Sequence, residues 1–415
     1  IRTTSAGHIK AAQEFWHLCN AKGDIYKKKY KGLYCVGCEK FLTEKDVIDG
    51  LCPIHPTKTP EVVEEENYFF KLTKYKKELL DYLSNEKAII PEWRRKEAID
   101  FVNDGMEDFS VSRSKERFSW GVAIPGDDTQ VMYVWFDAFI NYISTLGWPD
   151  SKGVFEKFWV NGEHIQTAGK DMVKFQSVMW QGMLMSAGLP TTNTVIYHGF
   201  ITGEGGIKMS KSIGNVISPS EIVKEYGTDA LRYFLLREIS SFEDSPFTME
   251  RFKDAYNANL ANGLGNLVSR VTAMACNFFP GLEIKLHPIV SGTKEKAEFL
   301  LHRTFISATK ENFNTLVSQY NLQGAMDYIW ELFKDADGYV AKFKPYQLEL
   351  NKQDDVYNML GNLLYTIHYG AKLLHPFLPE TSEKILNLLG TKLENNEIIS
   401  FCPKKPEAPL FPRKD

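Results

Sequence analysis

Apolar residues at Ile9, Ala12, Phe15, Trp16 and Cys19 recur at helical spacing, which predicts a helix over 8–22 that Gly23-Asp24 stops. A short strand-and-knuckle stretch follows from Ile25 to about Pro60. Helices are expected over 68–83 and 91–104, the second opened by Pro91. From Trp120 to Gly214 short β-rich runs, such as Val131-Met132-Tyr133-Val134-Trp135-Phe136 and Thr194-Val195-Ile196-Tyr197, alternate with helical stretches such as 171–187. That alternation argues for a parallel α/β sheet. After Pro219 the pattern is helical almost throughout, in segments 219–239, 250–278, 293–318, 321–343 and 353–388, as in a helical bundle. There is no internal repeat, and the runs Lys27-Lys28-Lys29 and Glu64-Glu65-Glu66 read as solvated surface.

With 415 residues the chain exceeds one ordinary core, so two or three domains are expected. A hydrophobic share of 43% and a charged share of 25% are those of a soluble globular protein. No apolar run approaches the ~20 residues of a membrane helix, and no membrane partner is expected. The formal net charge of -4 does not announce a nucleic-acid partner, so any basic binding surface must be local. Of six cysteines, Cys35, Cys38 and Cys52 crowd together while Cys19, Cys276 and Cys402 are scattered. A reducing compartment, and hence a cytoplasmic location, fits this better than secretion. Ile1-Arg2-Thr3-Thr4 carries no signal-peptide pattern and reads as a start within a longer protein.

Cys35-Val-Gly-Cys38 and Cys52-Pro-Ile-His55 are two C-x-x-ligand pairs. Each closes a tight turn that aims two side chains at one point, and together they complete a tetrahedron. Three thiolates and one imidazole saturate Zn²⁺ and leave no position for water, so the expected site is structural. A redox C-x-x-C with two bystanders is the alternative, but the second pair at matching spacing argues against it.

Thr202-Gly-Glu-Gly-Gly206-Ile-Lys208-Met-Ser-Lys211-Ser-Ile-Gly214-Asn215 lies between the strand ending near Phe200 and the helix after Pro219. Its glycines allow mobility and close backbone approach to a ligand, and two lysines three residues apart supply donors for polyphosphate charge. Composition alone also allows a solvated basic loop. The string Lys208-Met209-Ser210-Lys211-Ser212, however, resembles the second signature of class I aminoacyl-tRNA synthetases. Asn215-Val216 and Gly227-Thr228-Asp229-Ala230-Leu231-Arg232-Tyr233 are similar to that class as well. The resemblance implies that Lys208, Ser210, Lys211 and Ser212 bind ATP with Mg²⁺, and that Lys208 and Lys211 are catalytic through charge stabilisation.

Further stretches resemble the methionyl-tRNA synthetase family within that class. They are Tyr34 to Phe70 with its knuckle, Asp108-Phe-Ser-Val-Ser-Arg113, Tyr133-Val-Trp135-Phe-Asp137-Ala138 through Tyr142, and Gly169-Lys-Asp171 with Trp180 on the next helix. The resemblance implies a methionine pocket formed by Trp135, Ala138, Tyr142, Asp171, Met172, Gln176 and Trp180. Aromatic walls suit a thioether, although Trp135 and Trp180 taken alone would read as core. Asp171 would pair with the substrate ammonium or with a ribose hydroxyl. In the helical region Asn262, Asn266 and Arg270 are spaced at i, i+4 and i+8, and Gly265 to Arg270 resembles the family's anticodon-reading helix. Asn266, Arg270, Pro345 and Tyr346 are the implied anticodon residues, exposed amide and guanidinium groups with a ring for base stacking.

The chain departs from the family in three places. Its N-terminal HIGH-type ATP motif is not found, Ser5-Ala-Gly-His8 and Gly162-Glu-His164-Ile165 being superficial echoes. Gln176 stands where the family has histidine, and Tyr346 replaces a stacking tryptophan. The expected architecture is a Rossmann-like α/β catalytic domain, incomplete at its N-terminus: 1–20 closes the first half, 21–113 is a zinc-bearing connective insert, and 114–218 is the second half with the lysine loop. A stem-contact linker over 219–250 and an all-α anticodon-binding domain over 251–415 follow. The expected reaction is activation of methionine with ATP and transfer to the 3′ end of tRNA(Met), by a monomer that is inactive without the upstream segment. A leucyl, isoleucyl or valyl enzyme would need an editing insert for which there is no room. A non-catalytic tRNA-binding adaptor is the rival from another class.

Overall fold

The computed structural model describes the chain except residues 38–39, 43–46, 54–58, 151, 208, 210–213, 286–310, 348–352, 395–396 and 415. It divides into two compact units, Ile1–His198 and Gly199–Asp415.

In the first unit the helix Ala6–Ala21 begins where the Ser5 hydroxyl accepts from the His8 amide. Its apolar stripe, Ala11, Ala12, Phe15, Trp16 and Cys19, is buried as the spacing predicts. Strand Ile25–Cys35 then pairs antiparallel with Glu61–Phe70. The lysine and glutamate runs meet across this ladder, with Lys29 opposite Glu66 and Lys31 opposite Glu64. Lys29, Lys31, Glu64 and Glu66 are exposed, as expected of solvated surface, and the facing opposite charges favour this register. The expected helix over 68–83 is corrected here. Tyr68-Phe69-Phe70 finish the strand, their aromatic β-formers pairing with Lys27, Tyr26 and Ile25. Winding starts only at the 3₁₀ turn Leu72–Tyr75 and the helix Lys76–Ser84. At this junction Asp24 is fully buried and accepts from Lys74 (2.5 Å), Ser186 (2.8 Å) and the Tyr75 hydroxyl. Burial opposes its ionisation, but these donors win and hold the carboxyl below the usual range.

The expected parallel sheet is present, with Thr194–His198 central and Ile89–Ile90 and Ile165–Gly169 on either side. A separate antiparallel sheet joins Ser112–Ser114, Asp127–Met132 and Ala123–Ile124. The run 131–136 does not stay extended. Its strand ends at Met132, and the Tyr133 carbonyl accepts from the Phe136 amide (2.8 Å), so Val134–Asp137 is a helical turn. The expected helical stretch 171–187 is present and starts at Lys170, but in three windings: a 3₁₀ turn Lys170–Met172, a π-helical turn Phe175–Met179 and the α-helix Trp180–Ala187.

The second unit is predominantly helical. The segment 219–239 breaks at Gly227, whose φ of 90° suits glycine, into Pro219–Tyr226 and Thr228–Tyr233 with a π turn Phe234–Glu238. The segment 250–278 runs as Met249–Ala255, a π-wound stretch Tyr256–Gly265, and Asn266–Phe278. Leu322–Phe343 starts where the Asn321 side chain accepts from the Gly324 amide (2.9 Å). The expected helix over 353–388 is two, Gln353–Leu374 and Pro379–Leu389, separated around Pro376. Of the helix expected over 293–318, residues 311–318 are helical and those up to 310 lie outside the described residues. A small antiparallel sheet of Ile284–Lys285, Glu397–Phe401 and Thr391–Glu394 interrupts the all-helical expectation.

The segment Gly227 to Tyr233 has an architectural job. The Asp229 carboxylate accepts from the Thr381 amide in the first turn of Pro379–Leu389 (2.6 Å). One turn on, Arg232 donates to the carbonyls of Phe377 (2.6 Å) and Pro376 (2.9 Å). These two charged residues clamp the turn between the last two helices.

Candidate functional site

All seven expected pocket residues lie on two stretches of the first unit that the fold brings together. The turns 134–144 carry Trp135, Ala138 and Tyr142, and the run 170–180 carries Asp171, Met172 and Gln176; Trp180, the seventh, opens the next helix of that run. Trp135 stacks on Phe175 with ring centroids 4.6 Å apart. Phe139 stacks on Trp180 at 5.8 Å, and Tyr142 leans on Trp180 at 6.3 Å. Trp180 is fully buried and also stacks on Phe15, so it is the closed back wall. Trp135, Ala138, Tyr142 and Met172 are half-buried, and Asp171 is exposed.

One polar pair stands in this aromatic setting. The Gln176 amide donates to the Tyr142 hydroxyl (3.0 Å) and to the Gln166 carbonyl (2.8 Å). Burial raises the Tyr142 pKa, with the bond from Gln176 acting against it, so the hydroxyl keeps its proton at neutral pH. Gln166, Gln181 and Thr192, all buried, extend the network behind Gln176. Nothing in the sequence pattern singles out these three. They are scattered over a strand, a helix and a loop, and only the fold unites them.

Two more ionisable groups adjoin the pocket. Burial, opposed by a bond from the Ala138 amide, pushes the Asp137 carboxyl up to about 7. Arg113 is buried with its guanidinium 3.7 Å from the Tyr133 ring centroid and donates to the Ser110 hydroxyl (2.8 Å) and Ser112 carbonyl (2.7 Å). It braces the strand end from which Trp135 departs, a combined cation–π and hydrogen-bond support.

Of the lysine loop, Lys208, Ser210, Lys211 and Ser212 lie outside the described residues. Its described flanks are built for a sharp return: Gly205, Gly206 and Gly214 have φ of 68°, 76° and 74°, and the Gly203 amide donates to the Ile207 carbonyl (2.7 Å). In the knuckle, Cys38 and His55 likewise lie outside the described residues. Cys35 and Cys52 are both buried in one small cluster with Leu42. Among the described residues no group of three or more His, Cys, Asp or Glu gathers to hold a metal.

On the helical unit, Asn262 and Asn266 are exposed, and Asn262 sits in the π-wound stretch. Arg270 pairs with Asp337 of Leu322–Phe343. After that helix Lys344 turns left-handed at φ 44°, Pro345 is buried, and Tyr346 projects half-exposed. A cleft of about 600 Å³ between Asn259, Asn262, Trp330, Lys334 and Asp337 adjoins the Arg270 pair.

The model of the family described as "tRNA synthetases class I (M)" matches residues 1–59 and 54–272. A methionine–tRNA ligase from Streptomyces coelicolor is 36% identical over 406 residues, covering 94% of this chain and 73% of that enzyme. The chain belongs to the methionine–tRNA ligase family. Another methionine–tRNA ligase, from Clostridium acetobutylicum, is 40% identical over 405 residues and 96% of this chain. Among solved structures, the Mycobacterium tuberculosis methionyl-tRNA synthetase in complex with methionyl-adenylate superposes with a TM-score of 0.86. That match has 33% identity over 100% of this chain and 82% of that one. The chain spans 61% of the length of the Clostridium ligase and 60% of that of the Thermotoga maritima ligase. A Rossmann-like α/β region followed by a helical region is the architecture of this methionine–tRNA ligase family member. No helix among its described residues is long and apolar enough to cross a membrane.

Proposed function

We propose that this chain is the body of an enzyme that activates L-methionine with ATP to methionyl-adenylate and transfers the methionyl group to the 3′ end of tRNA(Met). The observation that carries this reading is the Tyr142–Gln176 pair set among Trp135, Phe139, Phe175 and Trp180. Aromatic faces attract a polarisable sulfur, and a single polar pair gives a thioether a partner that a hydrocarbon cannot use. Asp171, exposed next to this wall, would take the substrate ammonium or a ribose hydroxyl. The methionyl-adenylate carried by the Mycobacterium relative supports the same assignment.

Adenylate formation needs no covalent enzyme intermediate. The methionine carboxylate attacks the α-phosphorus, pyrophosphate leaves, and the catalytic effect is positioning plus stabilisation of the charge on the leaving phosphates. Lys208 and Lys211, with Ser210 and Ser212, would supply that charge from the glycine-flanked loop, and Mg²⁺ would accompany the ATP. Zn²⁺ would be held by Cys35, Cys38, Cys52 and His55. The donor set fits a closed tetrahedral site, and Cys35 and Cys52 share one buried cluster. Its contribution there is to hold the insert folded. Asn266, Arg270 and Tyr346, backed by Pro345, would meet the unstacked anticodon bases.

The deciding experiment is methionine-dependent ATP–pyrophosphate exchange by the full-length protein, followed by charging of tRNA(Met). Absence of methionine-dependent exchange in a folded, full-length sample would overturn the reading.

A further inference from the structure

Behind the Tyr142–Gln176 pair the hydrogen bonds run in one direction, and that direction can be read from the backbone outward. The Thr192 amide, which can only donate, donates to the Gln181 carbonyl oxygen (2.9 Å). The Gln181 amide nitrogen donates to the Gln176 backbone carbonyl, which can only accept (2.8 Å). Both ends of the Gln181 side chain are therefore assigned by backbone groups of fixed polarity. The same nitrogen donates to the Thr192 hydroxyl oxygen (3.1 Å), leaving the Thr192 proton to go to the Gln166 carbonyl (3.2 Å). Gln166, its carbonyl turned inward, accepts from the Gln176 amide (2.8 Å), whose second proton goes to the Tyr142 oxygen (3.0 Å).

This order leaves one buried group without a partner, the Gln166 amide nitrogen. Turning over Gln166 and Gln176 together would strand two, the Thr192 proton and the Gln166 carbonyl. Each buried polar group left unmade is expensive, so the observed order is the cheaper one.

We infer that Gln166, Gln181 and Thr192 are positioning residues that fix Gln176 as a donor to Tyr142 and thereby leave the Tyr142 proton free to point into the pocket. This rests on the reading of that pocket as the methionine site. A thioether sulfur accepts hydrogen bonds weakly and donates none. A Tyr142 hydroxyl whose proton was spent on Gln176 would present lone pairs to it. With the proton free, the hydroxyl distinguishes methionine from norleucine, in which a methylene replaces the sulfur.

The test uses the full-length protein and the ratio of kcat/KM for methionine to that for norleucine in ATP–pyrophosphate exchange. Thr192→Val, which keeps shape but breaks the relay, should lower the ratio about three- to tenfold, the range of one modest hydrogen bond. Thr192→Ser should restore it, and Gln166→Leu should lower it in the same direction. Tyr142→Phe, at a half-buried position, should lower it most, and serves if the buried variants do not fold. An unchanged ratio in Tyr142→Phe, or in folded Thr192→Val together with Gln166→Leu, would overturn the inference. A wild-type protein that does not activate methionine would instead overturn the assignment of the pocket.

Discussion

Arg270 and Asp337 form an ion pair that ties the helix Asn266–Phe278 to Leu322–Phe343 on the exposed side of the helical unit. A base that takes the Arg270 guanidinium would have to compete with that carboxylate. Tyr346 stands beyond the end of the second of these helices, half-exposed on a turn whose Pro345 is buried. Tyr346→Ala should cost roughly 1–3 kcal/mol of tRNA affinity, the usual worth of one base stack. Arg270→Ala should cost a comparable amount. The losses should appear in aminoacylation and spare tRNA-independent pyrophosphate exchange. Equal losses in both assays would mean general destabilisation.

The loop lysines should act on the transition state. Lys211→Ala is expected to lower kcat and kcat/KM for adenylate formation together, because the contact is made with charge that develops during the reaction. Exchange kinetics at varied ATP and methionine check this. A change confined to the methionine KM would remove Lys211 from that role.

The knuckle should bring about one zinc per chain, measured by elemental analysis of the purified protein. Cys35→Ser and Cys52→Ser should each lose the metal and lower the melting temperature, since a saturated four-ligand site contributes folding energy. A metal-free protein with unaltered stability would exclude the structural role.

His368 gives the helical unit a pH dependence. It is buried, and its Nδ1 meets the Thr391 hydroxyl at 2.9 Å. Burial first, and Lys372 second, push its pKa down to about 4. The folded state therefore binds fewer protons than the unfolded chain between that value and the ordinary histidine range. Stability from this group is complete above about pH 6.5 and is lost as pH falls toward 4, by up to roughly 3 kcal/mol. His368→Gln should flatten that part of the curve in urea titrations at pH 7, 6 and 5. An identical slope in wild type and variant would assign the acid sensitivity elsewhere.

The sequence carried the helix with Phe15 and Trp16 clearly, because its apolar stripe is long enough to be unambiguous. It misplaced Tyr68-Phe69-Phe70 and Val134-Trp135-Phe136 for one reason. Short aromatic runs suit a strand or a buried helical turn equally, and their partners, Ile25 in one case and the Tyr133 carbonyl in the other, decide. The pocket residues that motif resemblance named on the two stretches do come together in the fold. What no local pattern could show is the support behind them. Gln166 meets Thr192 only because Ile165–Gly169 lies parallel to Thr194–His198, a register set by the whole sheet. The strands Ile284–Lys285 and Thr391–Glu394 were too short to register as alternation.

The π turn at Phe175–Met179 makes the pocket a matter of counting. Adding or removing one residue in an α-helix rotates everything beyond it by about 100°. The wide turn is an extra residue already absorbed into the winding, and Trp180 faces Phe139 and Tyr142 on the far side of it. A single-codon deletion between Val173 and Met179 would therefore be taken up by tightening the π turn into an α turn, leaving Trp180 in register with the tyrosine, whereas one further inserted residue would swing the back wall away. In this segment, side-chain chemistry and residue number are separate constraints, and a homologue can keep the first while losing the site through the second.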